Sequence, residues 1–372
     1  MKIDRDRVVA FLMLLPSLVL LGIFVYGFIG QTAWVSLTDW GRDPAQALAA
    51  DRQSDFVGLQ NYRNLFTGVL ETRFRQDLVN NLFFTVLFLA GCLGLGLGMA
   101  ILLDQKIRGE AFFRTLFLYP FAVAFVVTGT IWSWMLQPRG GLNVLPTLVG
   151  LPRFQFLWIS SRTQVLQFDW QHIVFWLSLV VLIVLAVISL RAVLARNWSR
   201  TRNWGIATAL VAGWTVLGAP NVQALPFSEP HGFNLALIGI TIAAIWQMSG
   251  YTMALYLAGL RGIPEQLREA ARVDGGTEWQ VYRHVVLPLL APITLSAMII
   301  LGHISLKIFD LIFVMGGPDN STTSVPALLM YVRSFRANQF AEGAAIAIIL
   351  LIMVAMVIVP YLWLQLRGEV KR

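Results

Sequence analysis

Four lysines, four histidines and one short run of aromatic and amide side chains could do chemistry in this chain. A phosphate-binding P-loop needs a lysine followed by Ser or Thr, and none of Lys2, Lys106, Lys307 and Lys371 is so placed. The chain is therefore not expected to hydrolyse ATP itself. His172, His231, His284 and His303 lack an i,i+4 partner and have no Cys or carboxylate neighbours at zinc spacing, so no metal is expected. His303 lies in an apolar run, where a packed, hydrogen-bonded histidine outweighs a ligand contact. The run Trp246-Gln247-Met248-Ser249-Gly250-Tyr251 is more informative. Polar residues inside a membrane are functional candidates. A polyhydroxylated ligand is held by aromatic faces over its C–H surfaces and by a few polar groups at its hydroxyls. Trp246, Gln247 and Tyr251 supply both, and Ser305 on the next apolar run is the matching candidate. The competing reading of Trp246 and Tyr251 is an interfacial aromatic belt. Lys307 and Asp310, spaced i,i+3, are expected to pair near the outer surface.

The elements that must position these residues are membrane helices. The chain has 372 residues, 57% hydrophobic and 13% charged, against about 25% charged in soluble domains. Its one cysteine, Cys92, excludes an intrachain disulfide. Residues 8–38 carry no charge for 31 positions, longer than a signal peptide's apolar region, so a retained first span is expected. Further spans are expected at 78–103, 115–138, 171–190, 204–217, 233–260, 287–306 and 343–366, about eight in all. Glycines between 91 and 98 read as helix packing, with Gly94 and Gly98 spaced as a contact pair. With the N-terminus inside, inner segments hold 17 Lys/Arg against 9 Asp/Glu, and outer segments 11 against 11. The net charge of +8 thus falls on the inner side. That explains the basic balance without nucleic acid, and it places both termini in the cytoplasm. Lys106, Arg108 and Arg114 form one basic turn, and Arg191, Arg196, Arg200 and Arg202 another, with no acid among them.

Between the sixth and seventh spans lies the polar segment 261–286. Pro264 suits a first helical turn, residues 265–273 are strong helix formers, and Gly275-Gly276 breaks the pattern. Thr277 and Gln280 have the spacing of a capping box that would start a second helix. Glu269-Ala270-Ala271, then Gly275, then Val285-Val286-Leu287-Pro288 resembles the EAA loop of permease subunits in binding-protein-dependent ABC importers. Val285 stands where the family usually has Ile. Leu257-Ala258-Gly259-Leu260 and Ile263-Pro264 narrow the likeness to the sugar and glycerol-phosphate permeases of the maltose-transporter type. The resemblance implies a type I importer permease fold, all-α and membrane-embedded, in a single domain over 1–372, with six core spans. The pair at 171–190 and 204–217 departs from the family as an insertion.

It further implies that 261–286 is a cytoplasmic coupling loop in which Glu269, Ala270, Ala271, Asp274 and Gly275 meet an ATPase. The implied partners are a second homologous permease, two ATPase subunits hydrolysing ATP with Mg, and an external sugar-binding protein docking near Gly316-Gly317-Pro318-Asp319. This chain itself would hold no cofactor. The setting would be a bacterial or archaeal plasma membrane, and the cargo a di- or oligosaccharide such as an α-glucoside. The alternatives are a glycerol-phosphate importer and an ATP-independent secondary carrier. The absence of acidic residues from the well-defined spans counts against proton coupling.

Overall fold

A chain this apolar can satisfy its backbone N–H and C=O groups in a bilayer only within helices or a closed barrel, and the computed structural model is helical. It describes residues 5–42, 54–69, 71–105 and 107–370. The readings made on Lys2, Lys106 and Lys371 lie outside the described residues. The helices are α1 (Arg5–Leu21), α2 (Phe28–Ser36), α3 (Gln60–Thr67), α4 (Thr72–Asp104), α5 (Glu110–Ala122), α6 (Phe125–Met135), α7 (Ile173–Leu194) and α8 (Trp198–Gly213). They continue as α9 (Ala236–Arg261), α10 (Glu265–Val273), α11 (Glu278–Val281), α12 (Leu287–Leu306), α13 (Asp310–Gly316), α14 (Pro326–Tyr331) and α15 (Phe340–Val370). Strands β1 (Gln164–Asp169) and β2 (Pro230–Asn234) pair with each other.

Among the described residues, six helical stretches are long and apolar enough to cross a membrane: Phe11–Ser36, Thr72–Asp104, Trp170–Leu194, Ala236–Arg261, Glu278–Leu306 and Phe340–Pro360. A seventh crossing is counted if α5 and α6 are one span, but they meet at a bend of 98°. The sequence reading treats 115–138 as one straight run. Pro120 near the end of α5 removes a backbone donor and crowds the preceding turn, and Val123 is extended (φ −83°, ψ 137°). The run 204–217 is not among the crossings. There α8 carries Arg200, Arg202 and Asn203 in its first turns and runs on through a π turn at Trp214–Gly218, with Gly, Thr and Trp diluting its apolar character.

The chain forms two compact units, one from 1–66, 73–163 and 234–372 and the other from 67–72 and 164–233. In the first, α9 is the central element, and its small residues Gly239, Ala243, Ala244, Ser249 and Gly250 are buried. Gly96 of α4 lets the two backbones approach: a Cβ there would sit 2.9 Å from the Met253 nitrogen. Gly94 and Gly98 are exposed and meet nothing within 4 Å, so the contact glycine is offset from the expected pair.

One end of α4 carries a buried polar knot. Asn80 donates to the Ser324 carbonyl (2.8 Å) and accepts from Asn234 (2.8 Å), the Ser324 hydroxyl donates to Asp77 (2.9 Å), and Arg73 donates to the Pro318 carbonyl (2.8 Å). These bonds fix the loop at 316–324. In the second unit, Asp169 accepts from the backbone of Gln171 and Glu229 and from Ser228. Burial works to raise its pKa, but those hydrogen bonds hold it below the ordinary aspartate value.

Candidate functional site

Two arrangements on the first unit bear on function. The elbow made by α10 and α11 is built locally. Gly275 sits at φ +83°, a conformation that costs an L side chain about 1–2 kcal/mol. Its N–H and that of Gly276 close the end of α10 on the Arg272 and Ala271 carbonyls. The Thr277 hydroxyl then accepts from the Gln280 N–H while the Gln280 side chain accepts from the Thr277 N–H, so the capping box is formed. Val281, Val286 and Leu290 carry the chain into α12 and pack against Tyr256, Leu257 and Leu260 of α9.

Arg268 ties the elbow down. It is the one buried residue of α10, donating to Asp104 Oδ2 at 2.7 Å and to the Leu260 carbonyl at 2.8 Å. Arg272 spans the bend, 2.7 Å from Glu278 and 3.2 Å from Glu265. Hydrogen bonding to Glu278, then Glu265, pushes its already high pKa further up. Arg261 pairs with Glu110 at 2.6 Å.

With the elbow's inner side so fixed, its outer side presents Glu269, Ala270, Asp274 and Gly275 to the surroundings, while Ala271 is half-buried. Leu267, Val273 and Trp279 stand on it 45%, 86% and 68% exposed. Nothing in the local sequence singles out Arg268. The signal for the trio is large apolar residues within an otherwise polar segment.

The second arrangement surrounds the break between α5 and α6. Buried Gln247 donates from Nε2 to the Val123 carbonyl at 2.6 Å, supplying a donor where the helix stops. Its Oε1 is buried without a hydrogen-bond partner. Tyr251 stacks on Phe121 at 5.1 Å and 22°, and Trp246 meets Trp132 edge-on at 5.9 Å. Trp246, Gln247 and Tyr251 thus gather on one bent pair, and Trp246 remains 38% exposed. Ser305 stands apart: fully buried, it turns its hydroxyl back to the Gly302 carbonyl at 2.9 Å and shares no hydrogen bond with the other three.

Lys307 and Asp310 form no ion pair with each other. Instead Lys307 and His303 line a cavity of about 430 Å³ walled by Phe309, Tyr331 and Phe335. His303 Nδ1 is buried without a partner. The continuous ring contacts Phe309–Tyr331 (5.3 Å) and Tyr331–Phe335 (5.6 Å) make one wall.

A polar elbow packed against apolar helices long enough to cross a membrane, beside a broken span lined with polar and aromatic side chains, is the architecture of a multi-pass membrane protein. Residues 93–367 match the binding-protein-dependent transport system inner membrane component family, and the chain belongs to it. It is the permease subunit of a carbohydrate ABC importer, with the type I fold.

A probable ABC transporter permease of Pyrococcus horikoshii is 37% identical, covering 99% of each chain. The xylose/arabinose import permease of Haloferax volcanii is 31% identical over 93% of this chain and 84% of the other. The trehalose/maltose transport permease of Thermococcus litoralis is 25% identical over 96% and 94%. Among solved structures, a bacterial ABC transporter that imports the acidic polysaccharide alginate superposes with a TM-score of 0.61, covering 95% and 94% at 16% identity.

Proposed function

We propose that this subunit forms half of the pathway for a di- or oligosaccharide, an α-glucoside being the first candidate. It acts with a second homologous permease, two ATPase subunits that hydrolyse ATP with Mg, and an external sugar-binding protein that docks near 316–324. All of 1–372 works as one permease domain, with the 171–217 pair inserted into it. The chain sits in a bacterial or archaeal plasma membrane with elbow and termini in the cytoplasm. The observation that carries this reading is the elbow: Leu267, Val273 and Trp279 are bared beside Glu269 while Arg268 clamps the inner face to Asp104. An ATPase docked on Glu269, Ala270, Ala271, Asp274 and Gly275 pushes on α10. The clamp passes the displacement to α4 and α9, and the stretch around Trp246, Gln247 and Tyr251 changes its access to either side. Relatives named for xylose/arabinose and trehalose/maltose support a carbohydrate cargo.

Reconstituted vesicles test the reading. Glu269→Lys reverses the charge at the docking face. Gly275→Pro puts a residue locked near φ −65° where +83° is required. Each is expected to leave membrane insertion and complex assembly intact while cutting uptake per ATP hydrolysed at least about tenfold, a loss of about 1.4 kcal/mol of coupling. Normal coupling in both variants would remove the assignment.

An anionic cargo such as glycerol phosphate is the second reading, favoured by Lys307 and His303 at the 430 Å³ cavity. Competition of uptake by neutral against phosphorylated substrates separates the two.

A further inference from the structure

The second unit contains a feature that transport by the first does not use. Between Asp169 and Glu229 the sequence has no acidic residue, and its four arginines, 191, 196, 200 and 202, all lie at the turn joining α7 to α8. All four are exposed, and none has a carboxylate partner among the described residues. The turn is also bare of apolar cover: Trp198 is 84% exposed and Leu194 74%. Arg196 takes φ +51°. Beside it opens a cleft of about 330 Å³ between Val193, Arg196, Trp198 and Thr201. The span Trp170–Leu194 ends here, so the turn lies where hydrocarbon gives way to headgroups.

We propose that this turn binds the headgroup phosphate of an anionic phospholipid, and that the cleft between Val193 and Trp198 holds the lipid's glycerol and upper acyl region. Guanidinium groups match phosphate as planar forks of donors, and a bared tryptophan ring is suited to headgroup depth. Free inorganic phosphate would gain nothing from Leu194, Val193 and Trp198. A surface evolved for an acidic protein partner would not need a large apolar ring beside the span end. The chemistry therefore favours a lipid. Clustered basic residues next to a membrane each strengthen binding to an anionic surface roughly fivefold.

The experiment uses the assembled importer in nanodiscs of phosphatidylcholine with about one third phosphatidylglycerol. One or the other lipid carries a photoactivatable group near its headgroup, and labelled peptides are mapped. Phosphatidylglycerol is expected to label 193–201 at least about tenfold over phosphatidylcholine. The triple variant Arg196→Gln, Arg200→Gln, Arg202→Gln should lose that preference, whereas the triple Arg→Lys variant should keep most of it. Trp198→Ala should weaken labelling by both lipids. Raising salt from about 0.1 to 1 M shortens the screening length from about 10 to 3 Å and should erode the preference in the unmodified protein, whether or not the variants assemble. Equal labelling by the two lipids overturns the proposal. So does competition by millimolar inorganic phosphate, which would mean a free-anion site. Protection of the turn by the other importer subunits also overturns it, since a protein would then be the partner.

Discussion

The elbow at α10–α11 and the turn at α7–α8 are both short, arginine-rich and attached to membrane helices, yet they handle charge in opposite ways. In the elbow region Arg261, Arg268 and Arg272 each meet a carboxylate of their own unit, at 2.6, 2.7 and 2.7 Å. At the α7–α8 turn four arginines meet none among the described residues. Matched charges give a body that keeps its shape, as the proposed lever must. Unmatched charges at a span end point to a partner outside the chain. The basic balance that the sequence expects of the inner side thus conceals two uses of arginine: internal bracing and external attraction.

The contrast breaks most visibly at Arg268. Both members of its pair with Asp104 are about one tenth exposed, so Arg268→Met leaves a carboxylate nearly enclosed without its partner. The cost is expected to be about 3 kcal/mol, in the range for stranding one half of a buried pair. Thermal unfolding of the purified complex should show a clear drop in midpoint, and uptake should fall with it. Asp104→Asn added to Arg268→Met should recover part of the loss, because the stranded charge is gone. If the double variant is as damaged as the single one, the clamp works by shape and the bracing argument fails. Any of the four α7–α8 arginines changed to Gln should leave the same midpoint almost unmoved.

Gln247 is an intermediate case, with a matched donor and an unmatched acceptor on one amide. Gln247→Leu takes the donor from the Val123 carbonyl at the helix break and should cost about 1–2 kcal/mol. If Oε1 is held for a substrate hydroxyl, the variant also raises the KM for uptake while ATP hydrolysis stays coupled. A changed midpoint with an unchanged KM confines Gln247 to bracing the bend.

How much of this was legible in the sequence follows from how local each feature is. Apolar runs announce spans because length and composition suffice. The capping box reads directly because Thr277 and Gln280 are three residues apart, and Gly275 reads as a break because little else tolerates φ +83°. The Arg268–Asp104 clamp joins positions 164 apart, and the Gln247–Val123 bond joins positions 124 apart. No local pattern encodes either. The bend at Val123 had only Pro120 to announce it, in a run whose hydropathy suits a straight helix. Gly94 and Gly98 had the contact spacing, but the rotation of α4 turns Gly96 toward α9, and tertiary packing sets that rotation. The candidates Trp246 and Tyr251 were legible as residue types, while their ring partners Trp132 of α6 and Phe121 of α5 lie more than a hundred residues earlier.

The smallest expected effect sharpens the comparison from the other side. Arg272 is exposed, and its pairs with Glu278 and Glu265 compete with water and salt, so geometry alone is weak evidence of stabilisation. Its guanidinium is pushed above an already high value by Glu278 first and Glu265 second. For a base raised in the folded state, the contribution is complete below the unfolded pKa and fades only as pH climbs through the folded one. Both lie beyond the working range, so what Arg272 adds should be flat across about pH 6 to 9. Arg272→Gln is therefore expected to leave the unfolding midpoint within measurement error and to give the same difference at both ends of that range. Its mark should instead be kinetic: hydrogen exchange across 274–280 speeds up a few fold, because the staple over the Gly275 hinge is gone. A large, pH-dependent loss of stability in this variant would mean that the exposed staple carries the elbow, and that the buried Arg268 clamp is not what distinguishes it from the α7–α8 turn.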